Sequence, residues 1–144
     1  MTIYNPANLS DPLHSTGNRG NGQVTHGSAV VSAALALADV VRPCRIAAGT
    51  KVHRVVIKNT DLDDGAALAA KIGYLPEDGS AGDDDAFAAA AAWGQSAATT
   101  TIEIFPPILV EKDSYLSITV STAAGTGAAG TVYAKVEGEA IGAK

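Results

Sequence analysis

The sequence predicts an all-β protein: an antiparallel β-sandwich, jelly-roll-like, with one short helical insertion and an extended N-terminal arm. Three observations carry this. Apolar residues recur with a period of two in four segments, the signature of strands with one buried and one wet face. Those segments are bounded by Gly, Pro, Asp or Asn, which turns demand. The opening "YNPANLSDPLHSTGNRGNGQ" offers Leu9 and Leu13 as its apolar bulk. That is too little to offset the roughly 1–2 kcal/mol per residue that fixing a backbone costs. At 144 residues and 47% hydrophobic the remainder suits a single core, so the expected organisation is an arm over 1–23 and a sandwich over 24–144.

Taken in order, the arm is expected to order only against another molecule, with Tyr4, Leu9 and Leu13 as its partner-binding contacts. "SAVVSAALALADV" is read as strand, because it is β-branched at the front and lies in a β context. Strands are expected at 39–46 and 51–59, joined by "AAGT", whose Gly49 suits a tight hairpin turn. "VVI" at 55–57 is apolar on both faces, so its strand should be central or bulged. Leu68, Ala70, Ile72 and Tyr74 alternate with Ala69, Lys71 and Gly73. The helix is expected in "AGDDDAFAAAAAWGQ": aspartates at its start suit the helix dipole, alanines propagate it and Gly94 stops it. Ile102 and Ile104, then Leu116, Ile118 and Val120, then Val132, Ala134 and Val136 mark the remaining strands.

Candidate sites were weighed against simpler roles. "DLDDG" at 61–65 superficially matches a calcium loop, but the twelfth position counted from Asp61 is Ile72 where an EF-hand needs a bidentate Glu. It is read as a solvated turn. Asp83, Asp84 and Asp85 are read as helix caps. His14, His26 and His53 show no metal-ligand spacing, Ser96 and Ser114 no nucleophile-elbow setting. "GTGAAG" at 125–130 has the glycines of a phosphate loop without its Lys or a following helix, and reads as a flexible hairpin tip. No catalytic, cofactor or metal site is expected, and the protein is expected not to be an enzyme.

Composition narrows the partners. A net charge of −5 with scattered Lys and Arg argues against nucleic acid, and 5% aromatics against stacking platforms. No apolar run approaches the roughly 20 residues of a membrane helix, and no signal peptide opens the chain. The single Cys44 is read as a small buried hydrophobe of a protein made in a reducing cytoplasm. "VVI" and the apolar "FPPILV" from Phe105 supply surplus apolar surface, from which a homo-dimer or trimer is expected.

The segments "AGTKVHRVVIKNTDLDDGAALAAKIGY", "GDDDAFAAAAAW" and "PPILVEKDSYLSITVSTAAGTGAAGTVYAKVEG", about two-thirds of the chain, resemble the cement (decoration) proteins of tailed bacteriophage heads. The motifs are architectural, so no catalytic residue is carried over. The resemblance implies a jelly-roll sandwich in the virion, on the capsid exterior, made in the host cytoplasm. Its implied partner is the major capsid protein, and its implied role is to clamp neighbouring capsomers. The competing expectation is a carbohydrate- or receptor-binding β-sandwich module of a phage fibre, which would show grouped exposed aromatics.

Overall fold

The computed structural model describes residues 1–7 and 22–141. Their strands are β1 (Ile3–Tyr4), β2 (Gly22–Val31), β3 (Val40–Val41), β4 (Arg45–Ile46), β5 (Thr50–Asn59), β6 (Ala69–Pro76), β7 (Asp83–Ala92), β8 (Ala98–Val110), β9 (Ser114–Thr122) and β10 (Gly130–Ala140). They form two sheets. A six-stranded sheet runs β1-β3-β9-β6-β7, with β4 also on β9; a four-stranded sheet runs β2-β10-β5-β8. All ladders are antiparallel except β1 with β3. The chain passes back and forth between the sheets from β2 to β10, with only β6 and β7 joined as a hairpin among the long strands. This is the winding of a double-sheet jelly roll.

The predicted alternation builds the core. Val31, Val52, Val55, Ile57, Val132 and Val136 of one sheet face Val41, Ile46, Ile72, Leu116, Ile118 and Val120 of the other. Fully burying each such side chain contributes about 1.5–3 kcal/mol. The "VVI" strand β5 lies between β10 and β8 and carries a register shift between Val52 and Arg54. Val55 and Ile57 are consumed by this core, so they add nothing to an outer apolar surface.

Five expectations are corrected. The helix is absent: its residues form β7, an edge strand paired with β6. Alanine favours helix over most residues by only tenths of a kcal/mol each, less than a ladder and a buried anchor supply together. Phe87 is that anchor, 8% exposed and with its ring centroid 6.0 Å from that of Tyr74. Gly73 makes the approach possible, since a Cβ there would lie 2.1 Å from the Asp83 carbonyl oxygen. Gly94, expected to stop a helix, has φ +72° just beyond the end of the strand.

The "AAGT" turn is not a hairpin. Gly49 does adopt φ +76°, but β4 belongs to the six-stranded sheet and β5 to the four-stranded one. Likewise "GTGAAG" connects β9 and β10 across the sandwich rather than within a ladder. Finally, the strand begun at Ser28 ends at Val31, and the strand expected at 39–46 is two short pieces, β3 and β4, interrupted around Pro43, which has no N–H to give.

Candidate functional site

The N-terminal segment is the first place where a partner contact was expected. Tyr4 lies in β1, half-buried and packed against the core of its own chain. Its backbone oxygen accepts from Arg42 N at 2.7 Å, and Ala7 N donates to the Ser28 oxygen at 2.8 Å. Thr2 N donates to Asp39 Oδ1 at 2.5 Å, and Ala36 N to Asp39 Oδ2 at 2.9 Å. Burial tends to raise the Asp39 carboxyl, but those donors prevail and hold it below the usual carboxylate range. Burial, then the charge of Asp39, pushes the Tyr4 hydroxyl up. Leu9 and Leu13 lie outside the described residues.

"DLDDG" is not a solvated turn. Asp63 is completely buried, and its carboxylate collects four backbone donors. Oδ1 accepts from Gly65 N at 2.9 Å and Thr126 N at 2.8 Å; Oδ2 accepts from Ala67 N at 2.8 Å and Leu68 N at 2.7 Å. Burial favours the neutral acid, but the four N–H groups outweigh it and hold the carboxyl well below the ordinary range. Oxygens surrounded by N–H donors present the wrong polarity to a cation. The site is a structural clasp: it ties residues 61–68 to the "GTGAAG" crossover, where Asp64 N also donates to the Thr126 oxygen. The D-x-x-x-x-L spacing, with small residues between, was its only trace in the sequence.

Asp83, Asp84 and Asp85 sit on β7, with carboxylate oxygens within 4.8 Å of one another. Lys71 Nζ stands 3.5 Å from Asp84 and 4.0 Å from Asp85. His26 and His53 are both exposed, and His53 Nε2 lies 3.8 Å from Glu139. Ser114 is buried and its hydroxyl donates to the Lys112 oxygen at 2.8 Å. Cys44 is buried and its thiol is pushed up to about 12, which keeps it protonated.

Two features were missed in the sequence. On edge strand β8, Val52 pairs with Ile108 and Arg54 with Glu103, so residues 104–107 bulge opposite His53. This lifts Phe105 into solvent, 95% exposed, on a cis bond to Pro106. Farther along, a shallow cleft of about 210 Å3 is lined by Tyr74, Pro76, Ala81, Leu109, Glu111 and Lys112. The double proline was the visible signal for the first; the second depends on the β6–β7 and β8–β9 turns meeting, which no local pattern encodes.

The outer face of the four-stranded sheet is laced with ion pairs. Arg54 joins Glu103 at 2.6 Å and Glu137 at 3.3 Å, and Lys135 joins Glu137 at 2.5 Å. Trp93 is buried, so it offers no platform to a sugar ring.

No protein-family model matches the chain, and no curated protein matches it. Solved structures do. A chain of the cyanophage Pam1 capsid asymmetric unit superposes with a TM-score of 0.67 at 23% identity, covering 93% of this chain and 94% of that one. A chain of the capsid of Ralstonia phage GP4 superposes with a TM-score of 0.79 at 15% identity, covering 99% of this chain and 100% of that one. The shared fold covers more than nine-tenths of the chain in both, and both neighbours come from phage capsids.

Proposed function

We propose that this chain is a non-enzymatic structural protein of a phage virion, which binds the outside of the head and cements neighbouring capsomers of the major capsid protein. The observation that carries this reading is the end-to-end fold match to a chain of the Ralstonia phage GP4 capsid, at 99% and 100% coverage. Three features of the chain support it. The carboxylate with the strongest environment, Asp63, is spent on backbone donors. The exposed aromatics Phe105 and Tyr133 lie on different strands and do not form the paired platform that a fibre-type sugar-binding module uses. The bulged β8 edge and the charged sheet face are surfaces rather than pockets, which suits a protein acting through many weak, repeated contacts. Self-association of the chain is part of the same reading.

The test is occupancy. Purified protein mixed with undecorated heads of its phage should bind saturably and raise the temperature at which the heads release their DNA. Absence of binding at micromolar concentration would overturn the reading, and binding to immobilised glycans instead would favour the fibre module.

A further inference from the structure

The β8 bulge presents an exposed aromatic side chain, and the cleft has room for one. Phe105 is 95% exposed, so it does not fill the cleft of its own chain, whose wall includes Leu109 four residues farther along the same strand. We propose that Phe105 of one copy seats in the Tyr74–Pro76–Ala81–Leu109 cleft of a second copy. This rests on the self-association proposed above and not on shell binding.

Size fits: a cavity of about 150 Å3 takes a benzene ring, and this cleft, open to solvent, has about 210 Å3. Its lining combines Tyr74, Pro76, Ala81 and Leu109 with the charged Glu111 and Lys112. Charge fits as well. Lys112 is held by Asp78 and Ser80, both at 2.9 Å, whereas Glu111 and Asp83 make no ion pair among the described residues. Burial first, then the charges of Asp83 and Glu111, raise the Tyr74 hydroxyl, so these two carboxylates lie near its ring. Beside the bulge stand His53 and Arg54 of β5. The Arg54 side chain is 44% exposed despite its two carboxylate partners, and retains donors for a third. Seating Phe105 would therefore bring Arg54 toward Glu111 of the neighbouring copy.

Topology allows it. Among the described residues β8 has a free edge, and Phe105 and Leu109 are at most roughly 13 Å apart along it. A two-fold axis near Pro107 makes the contact reciprocal. Pro106 and Pro107 offer no N–H, so the contact works through side chains rather than by extending the ladder.

The experiment is sedimentation of the full chain in solution, without shells, over a concentration series. Wild type should self-associate reversibly. Phe105→Ser, which removes a side chain that its own fold leaves in water, should raise the dissociation constant by about thirtyfold, the scale of losing an interface hot spot. Ala81→Trp, which fills the cleft from its exposed rim, should do the same while circular dichroism stays unchanged. Mixing the two variants should recover part of the association, because one retains the knob and the other the cleft, so one of the two reciprocal contacts can form. Wild type that stays monomeric to millimolar concentration, or Phe105→Ser that sediments as wild type does, would overturn the proposal; neither result bears on whether heads are bound.

Discussion

Two acidic runs of similar composition, "DLDDG" and "GDDDA", end in opposite environments. In the first, Asp63 is sealed inside the sandwich with four backbone N–H groups on its carboxylate. In the second, Asp83 and Asp85 stand exposed on an edge strand and Asp84 is half-buried, with a lysine nearby. The difference does not lie in the acids. A loop that turns back on itself points several N–H groups inward and needs an anion to satisfy them, whereas in a strand they are directed sideways into the ladder. Asp39 is intermediate: buried, and accepting from two backbone donors. Carboxylates in this protein are thus ranked by the number of backbone donors they satisfy.

The ranking can be broken at each level. Asp63→Ala should cause the largest fall in melting temperature of any aspartate substitution, since four buried donors lose their acceptor at once; thermal melts that place it level with Asp83→Ala would end the ranking. Acid should act through the same group. Both Asp63 and Asp39 have folded pKa values below the unfolded one. Their stabilisation is therefore complete above about pH 4 and is lost as pH falls toward the folded values. Melts between pH 7 and pH 2 should show a plateau followed by a decline, and Asp63→Asn should flatten that decline.

Asp39→Ala should cost about 1–3 kcal/mol for each donor it orphans. Deleting residues 1–7 removes one of those donors, Thr2 N, and the β1–β3 pairing. The two changes should therefore be less than additive in denaturant titrations; full additivity would mean that Asp39 and the N-terminus act independently. The smallest effect is expected on β7. Replacing Asp83, Asp84 and Asp85 together by Asn should move stability by no more than about 0.5 kcal/mol, with melts identical in the presence and absence of chelator. A chelator-dependent drop would show that the exposed cluster holds a metal.

The same comparison explains what was legible in the sequence. Alternation placed Leu116, Ile118, Val120, Val132 and Val136 in the core correctly, because a period of two is a local property of one strand. The sheet to which a strand belongs is not local. Gly49 and the 125–130 glycines announced turns, yet nothing near them says whether the next strand pairs with the last one or crosses the sandwich. The β7 alanines read as helix because their strand character comes from β6 and from the missing Cβ of Gly73. Asp63 read as surface for a related reason: three of its four donors are close in sequence, at Gly65, Ala67 and Leu68, but the one that seals the clasp, Thr126, is remote. The Tyr4 position was legible only as a residue type, since its place beside the core depends on β3.

The position of β10 ties distant parts of the chain together. It is the last described strand in chain order, yet it lies between β2 and β5 and supplies the hydrogen-bonding partner of both. Without it the four-stranded sheet has no centre, and β2 has no ladder among the described strands. Closure joins strands from opposite ends of the chain, a high contact order that slows folding relative to a helical bundle of equal length.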